Sequence, residues 1–291
     1  MLNTRGPSLR GTTLEVVMTE VRADTLKVPG ATLHYEVAGS GPVLLLIPGG
    51  PMDADGFAPL RNVLSNRYTV VTYDPRGLSR SRFGGEPEDM TVQAFADDAH
   101  ELLAALTSEP AFVLGSSGGA LVGLELAANY PQQVRALVAH EPPLDRLLGD
   151  AEARDAFNRE VYDTYRAEGV GPAMSKFLAA ADLDGDVPQP PADPTPDMVE
   201  AMARMHKNLD FFLAHMWMPL SDYSPDPSQF RLLPVTVAVG EASEGQLAYR
   251  AATVLAEQLR STPVVFPGDH GGFSSQPEVF ARRLDEVLSA R

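Results

Sequence analysis

Two patterns of hydrophobic residues alternate along most of the chain. Continuous apolar runs, typical of strands buried on both faces of a parallel sheet, are followed by segments with the apolar spacing of an amphipathic helix. The runs that predict strands lie at 43–47, 68–72, 111–114, 134–139, 234–240 and 263–266, and two more, 25–28 and 32–37, meet at Pro29-Gly30. The segments that predict helices lie at 57–66, 91–106, 118–127, 246–259 and 277–288. This alternation predicts the α/β class, with helices on both faces of a parallel sheet.

The alternation stops between about residues 144 and 230 and then resumes. This stretch predicts helices at 151–168, 172–181 and 195–218, separated by an acidic break at 182–186 and a proline-rich connector at 188–196. We therefore predict a helical insertion, 144–230, in a core formed by 23–143 and 231–291. Residues 1–22 are expected to form a flexible leader.

Composition and charge narrow the classes of partner. The 291 residues carry a net charge of −16 with a pI near 4.7, so neither nucleic acid nor an anionic membrane is expected as a partner. Cysteine is absent, which excludes disulfides, thiolate catalysis and cysteine zinc sites. Residues 1–20 lack the continuous apolar region of a signal peptide, and no apolar run is long enough to span a bilayer. A cytoplasmic location is therefore expected.

The candidate nucleophile lies in the turn after the predicted strand 111–114. Gly115, Ser117 and Gly119 fit the G-x-S-x-G spacing of a nucleophile elbow. A serine at the tip of such a turn has a strained backbone, and glycines beside it let strand and helix approach closely. We predict that Ser117 is a catalytic nucleophile.

A serine nucleophile needs a base, and His270 is the best placed of the six histidines. It lies in the loop 268–273 after the last predicted strand, at the sheet edge where ligands bind in open α/β folds. An oxyanion hole needs two backbone N–H groups. We expect one from Gly118, directly after the nucleophile, and the other from Gly50, in the loop after the strand 43–47.

These motifs resemble those of the α/β-hydrolase family, and the resemblance covers almost the whole chain from about residue 25. Ile47-Pro48-Gly49-Gly50-Pro51 stands where that family has its oxyanion loop, and Asp74-Pro75-Arg76-Gly77-Leu78-Ser79-Arg80-Ser81 resembles its D-x-R-G-x-G-x-S turn. Pro48 replaces a usual histidine, and Ser79 replaces a usual glycine. The resemblance implies a doubly wound, mostly parallel, eight-stranded sheet, with the insertion as a helical cap.

The sequence departs from the family at the acid of the catalytic triad. Most members have an aspartate after the strand that here ends at Gly240, and the matching position is Ser243. Glu141 follows the strand after the elbow helix, which in a doubly wound sheet lies between the nucleophile strand and the strand ending at Gly240. Its carboxylate is therefore expected to reach the same imidazole. We predict Glu141 as the acid, with Glu241 or Glu244 as the alternative.

The zearalenone-lactonase branch of the family resembles this arrangement, since its acid is a glutamate after the same strand. The similarity extends to Ser116-Ser117-Gly118, to His140-Glu141-x-Pro143 and to Arg204-x-His206-Lys207-Asn208 in the insertion. The resemblance to this branch alone does not establish its lactone as the substrate.

A serine nucleophile indicates acyl transfer, whereas the dehalogenases and epoxide hydrolases of this fold attack sp³ carbon and need an aspartate. We predict hydrolysis of a carboxylic ester or lactone through an acyl-enzyme on Ser117, with His270 as base and then as acid. Two alternatives stay open: a thioesterase or cyclising acyltransferase on a polyketide-like chain, and a non-catalytic member that binds a small ligand. No cofactor and no metal is expected, and the protein is expected to be a monomer or homodimer.

The insertion is expected to form an apolar substrate pocket, because it must turn one apolar face towards the catalytic edge of the sheet. A moderately large apolar ester or lactone is therefore the predicted substrate. The predicted lining residues are Pro51, Met205, His206, Leu209, Phe212, Met216 and Trp217.

Overall fold

The computed structural model of the protein describes residues 20–181, 183 and 193–290. The predicted leader lies outside these residues except at its end, and so do most of the acidic break and much of the proline-rich connector. Within the described ranges, no helix is both long enough and apolar enough to cross a membrane.

A mixed sheet forms the centre of the fold. Its strands in the described part of the chain are β1 (Val21–Val28), β2 (Ala31–Ala38), β3 (Val43–Ile47), β4 (Thr69–Tyr73), β5 (Arg82–Phe83), β6 (Ala111–Ser116), β7 (Val134–His140), β8 (Val235–Gly240) and β9 (Val264–Phe266). Eight strands follow the order β1-β2-β4-β3-β6-β7-β8-β9, and the short β5 pairs with β2 beside this path. The pairs β1–β2 and β2–β4 are antiparallel. Every later pair along this path, from β4–β3 to β8–β9, is parallel. The predicted eight-stranded, mostly parallel sheet is confirmed, with β5 added to it.

The helices follow the predicted alternation. The α-helices of the described residues are α1 (Ala58–Leu64), α2 (Val92–Leu106), α3 (Gly118–Asn129), α4 (Ala151–Glu168), α5 (Val170–Ala180), α6 (Pro196–Phe211), α7 (Trp217–Ser221), α8 (Leu247–Gln258), α9 (Gly272–Ser275) and α10 (Pro277–Ser289). A π-helical turn, Phe212–Met216, joins α6 to α7, where the sequence predicts one uniform helix. A short helical turn at Asp145–Leu148 and the four-residue α9 are too brief for a periodicity to predict them.

The first strand begins earlier than predicted. The sequence predicts a strand from residue 25, but β1 starts at Val21, so Val21 and Arg22 of the predicted leader belong to the sheet. Val21 pairs with Ala38, and the antiparallel register continues to the turn at Pro29-Gly30. Most side chains of β1 are exposed, so backbone pairing rather than an apolar pattern extends this strand.

The sheet is covered by helices on both faces. Leu45 and Val113 belong to a hydrophobic cluster shared with α2, α3 and α8, whereas Leu44 and Leu114 point into a second cluster shared with α1 and α10. Neighbouring residues of one strand thus enter opposite layers, as the period of a strand requires. Burial on both faces explains why these strands are continuously apolar.

The parallel strands bring four strand ends to one edge of the sheet. Ile47 at the end of β3 pairs with Gly115, and Ser116 at the end of β6 pairs with His140 at the end of β7. His140 in turn pairs with Ala238 of β8. The loops that follow these strands therefore lie side by side, and they carry the predicted site residues.

Candidate active site

Ser117 has a strained backbone between β6 and α3. Its φ of 55° and ψ of −126° fall in a region that residues with a side chain rarely occupy, and such strain concentrates at functional sites. Glycines make the turn possible. A Cβ at Gly115 would lie 2.3 Å from the Gly119 carbonyl oxygen. A Cβ at Gly119 would lie 2.1 Å from the Ile47 carbonyl oxygen. The turn thus has the backbone geometry of a nucleophile elbow.

The loop after β3 packs directly against this elbow. A Cβ at Gly49 would lie 2.4 Å from the Ser116 carbonyl oxygen and 2.9 Å from the Gly118 nitrogen, so a larger residue does not fit. A Cβ at Gly118 would lie 3.4 Å from the Gly50 nitrogen, so the two predicted oxyanion-hole residues are neighbours. Both glycines line the same cavity as Ser117.

Glu141 contacts His270 from the end of β7. Its Oε2 lies 2.5 Å from Nδ1 of His270, and its Oε1 accepts a 2.8 Å hydrogen bond from the backbone N–H of Gly240. Glu141 is completely buried. Burial raises the pKa of Glu141, but the hydrogen bond with His270, supported by the hydrogen bond from the Gly240 N–H, holds the pKa below its ordinary value. The carboxyl group is therefore ionised at neutral pH.

The two alternative acids have different surroundings. Glu241 is exposed, and its carboxylate accepts a long hydrogen bond, 3.5 Å, from the backbone N–H of Gly268. Glu244 is exposed as well, and within the described residues neither carboxylate is hydrogen-bonded to His270. Ser243, at the usual position of the family's aspartate, is buried. The geometry therefore favours Glu141 over both alternatives.

Ser117 and His270 line one cavity of about 340 Å³. No hydrogen bond between the Ser117 hydroxyl and the His270 imidazole occurs among those of the described residues. Catalytic hydrogen bonds of this kind are often long until a substrate is bound.

The walls of this cavity are mainly apolar and come largely from the segment between β7 and β8. Of the predicted lining residues, Pro51, Phe212 and Trp217 line it, and Met216 lines a small adjoining cavity. Further apolar lining residues, which the sequence analysis does not identify, are Leu121, Phe157, Met174, Phe177, Leu178, Leu220, Leu247 and Phe273.

Three predicted lining residues lie outside the cavity. Met205 and His206 are exposed on α6, and Leu209 is only partly buried. The prediction assumed one helical period from 195 to 218, whereas the π-helical turn after α6 changes the number of residues per turn. Apolar residues on one face of α6 are therefore not in line with the apolar residues that follow the π-helical turn.

Asn208 connects α6 to the oxyanion loop. It is buried, and its Nδ2 donates a 3.0 Å hydrogen bond to the carbonyl oxygen of Pro51, the residue after Gly50. Its Oδ1 accepts a 2.8 Å hydrogen bond from the backbone N–H of Ser79. The Ser79 hydroxyl donates to Asp53, at 2.6 Å. The sequence shows Asn208 only as part of a motif, because these partners are distant along the chain.

A second histidine lies beneath the site. His140 is fully buried among aromatic rings, and its Nδ1 is hydrogen-bonded to the Ser116 hydroxyl at 3.1 Å. Burial lowers the pKa of His140 to about 4, from an ordinary value of 6.5. His140 is therefore neutral at physiological pH. The described residues contain no group of three or more potential metal ligands.

The buried His140 makes stability depend on pH. Between pH 6.5 and pH 4 the unfolded chain binds a proton at this imidazole that the folded chain does not, so stability is lost as the pH falls through this window. Between pH 7 and pH 5 the wild type should lose about 2 kcal/mol more free energy of unfolding than His140→Gln. Urea denaturation of both proteins at the two pH values measures the difference. Equal losses would show that His140 binds a proton as readily in the folded protein as in the unfolded chain.

Comparisons with known proteins agree with this architecture. A sequence model of the alpha/beta hydrolase fold matches residues 42–205, more than half of the chain. An uncharacterized hydrolase, YraK, from Bacillus subtilis (strain 168) is 38% identical over 275 residues, which cover 91% of this chain and 95% of YraK. A zearalenone hydrolase from Bionectria ochroleuca is 27% identical over 273 residues, covering 90% of this chain and 96% of that protein.

A solved structure has the same fold. The crystal structure of a hydrolase from Pseudomonas aeruginosa PA01 superimposes with a TM-score of 0.71 at 22% identity, covering 91% of this chain and 98% of that one. The resemblance predicted from the sequence motifs is confirmed. The chain belongs to the α/β-hydrolase fold family.

Proposed function

We propose that this protein is a serine hydrolase that cleaves a carboxylic ester or lactone of a moderately large apolar molecule through an acyl-enzyme. The observation that carries the proposal is the 2.5 Å contact between Glu141 and His270 beside a cavity that Ser117 also lines. Relatives named as hydrolases, one of them a zearalenone hydrolase, support the reaction class. In this proposal residues 144–230 act as the cap of the catalytic core.

Glu141 fixes the tautomer of His270. The ionised carboxylate accepts a hydrogen bond from Nδ1–H, so the proton stays on Nδ1 and the lone pair of Nε2 is free to act as a base. Nε2 takes the proton of the Ser117 hydroxyl while Oγ attacks the carbonyl carbon of the substrate. The resulting imidazolium is stabilised by the buried negative charge beside it.

The tetrahedral intermediate carries a negative oxygen, which the backbone N–H groups of Gly50 and Gly118 stabilise. Gly118 is the first residue of α3, so the positive end of the helix dipole adds to the same field. Both donors belong to backbone segments that are packed closely against each other. They therefore need little reorganisation during the reaction.

Collapse of the intermediate breaks the bond to the leaving oxygen, which receives the proton from His270. Water then loses a proton to His270 and attacks the acyl-enzyme, and the second collapse returns the proton to Ser117. In a lactone the leaving alcohol stays attached to the acyl chain, so the product is a single hydroxy acid. The apolar walls of the cavity favour an apolar substrate.

Replacing Glu141 tests the triad. Glu141→Gln keeps an oxygen for the Gly240 N–H but places an amide beside His270 Nδ1, which favours the wrong tautomer. It should lower kcat for p-nitrophenyl esters by about 10³–10⁴-fold. Glu241→Gln and Glu244→Gln are matched controls and should stay within about twofold of the wild type. A loss of activity in either control, with Glu141→Gln active, would contradict the assignment.

The same assay separates the competing functions. Macrocyclic lactones and p-nitrophenyl esters should be hydrolysed by the wild type but not by Ser117→Ala. Thioesters cleaved much faster than both would favour the thioesterase. Binding of these compounds without turnover would favour the hypothesis of a non-catalytic protein that binds a small ligand.

Asn208 provides a test of the oxyanion loop. Asn208→Asp can still accept from the Ser79 N–H but cannot donate to the Pro51 carbonyl, so it removes the contact next to Gly50. Because a small displacement of an oxyanion donor is costly, we expect kcat to fall by about 10–100-fold with a smaller change in KM. Lys207→Ala, on the exposed face of α6, is the control. A raised KM with normal kcat would show that Asn208 serves only substrate binding.

A further inference from the structure

The cavity contains polar side chains that the proposed triad does not use. Ser117 and His270 belong to the reaction, and the Ser116 hydroxyl is hydrogen-bonded to His140. Asn158 and Asp145 also line the cavity, in walls that are otherwise mostly apolar. A few polar groups in an apolar pocket usually fix the orientation of the ligand.

Asn158 contributes a carboxamide to the wall of the cavity. The residue is on α4 and is only 4% exposed. Its backbone carbonyl accepts a 2.9 Å hydrogen bond from Nε1 of Trp217, which fixes this part of α4 against the wall of the cavity. Within the described residues, its side-chain amide has no hydrogen-bond partner. Because Asn158 lines the cavity, a substrate group that reaches this amide can form a hydrogen bond with it.

Asp145 contributes a carboxylate from the short helical turn after β7. The nearby Arg146 pairs with Asp155 at 2.6 Å and with Asp222 at 3.1 Å, and none of the ion pairs in the described part of the chain includes Asp145. Burial raises the pKa of Asp145, and the positive charges of Arg154 and Arg146 oppose this effect. Asp145 thus lines the cavity with no ion-pair partner among the described residues, and its carboxylate interacts with the backbone N–H groups of Asp145 and Arg146.

A hydroxyl group fits these two residues better than a cation does. A hydroxyl both donates and accepts, and so can pair with a carboxylate and with a carboxamide. A cation would lose its hydration among apolar walls, and Arg146 and Arg154 act on Asp145 with positive charge. A purely apolar ligand would offer a hydrogen bond to neither side chain.

We propose that Asn158 and Asp145, two polar positions in the wall of this cavity, form a polar subsite that binds hydroxyl groups of the substrate, so that the preferred ester or lactone is a hydroxylated one. This inference rests on the proposed function for its substrate class. It assigns specificity to two residues that take no part in proton transfer. The subsite binds the part of the substrate that contacts the helices between β7 and β8.

Two esters that differ by one hydroxyl test the subsite. The p-nitrophenyl esters of phenylpropanoic acid and of its para-hydroxy derivative have the same leaving group. The wild type should hydrolyse the hydroxylated ester with a kcat/KM at least about tenfold higher. In Asn158→Leu, which has similar volume, this ratio should fall to within about twofold of one. Asn62→Leu, on the exposed side of α1, is the matched control and should keep the wild-type ratio.

Binding to Ser117→Ala separates the subsite from the reaction. This protein should bind the hydroxylated ester at least about tenfold more tightly than the plain one, and adding either Asn158→Leu or Asp145→Asn should reduce that preference. If the wild type hydrolyses neither ester but Ser117→Ala keeps the preference, the proposed function fails and the subsite stands. Equal hydrolysis and equal binding of the two esters would overturn the subsite.

Discussion

The site depends on the close approach of three backbone segments at the carboxyl end of β6. The elbow of Ser117, the start of α3 and the loop after β3 pack so tightly that Gly49, Gly115 and Gly119 leave no room for a Cβ. This packing holds Ser117 in a conformation that a free chain would leave. The same contacts bring the N–H groups of Gly50 and Gly118 to one cavity, so the strain and the predicted oxyanion hole have a common origin.

The contact between Glu141 and His270 depends on the order of the strands in the sheet. Glu141 follows β7, and its carboxylate is held by the backbone N–H of Gly240 at the end of the next strand. A Cβ at Gly240 would lie 2.8 Å from the carbonyl oxygens of Gly268 and Asp269, so the histidine loop is packed onto the end of β8. Glu141 therefore reaches His270 from the neighbouring strand, while Ser243 stands where the family usually has an aspartate.

Much of the fold follows from local patterns, but parts of the site do not. The helix α4 begins and ends where its periodicity predicts, and the elbow follows from glycine spacing. The order of β6, β7 and β8, together with the family resemblance, favoured Glu141 and left Glu241 and Glu244 as alternatives. The contact of Asn208 with the oxyanion loop was missed, because its partner Pro51 lies 157 residues away. The place of Asn158 in the cavity wall was missed, because packing between distant parts of the chain creates it. No simple period predicts the π-helical turn, and for this reason Met205 and His206 were expected in the pocket but lie on the surface.

Reaction with a fluorophosphonate, followed by intact and peptide mass measurement, shows whether Ser117 is an activated nucleophile. We predict one adduct per chain, located on Ser117 and not on its neighbour Ser116. The adduct should persist in Ser116→Ala, disappear in Ser117→Ala and form much more slowly in Glu141→Gln, because an activated serine needs the imidazole that Glu141 orients. A folded wild-type protein that stays unlabelled, or an adduct that persists in Ser117→Ala, would contradict it.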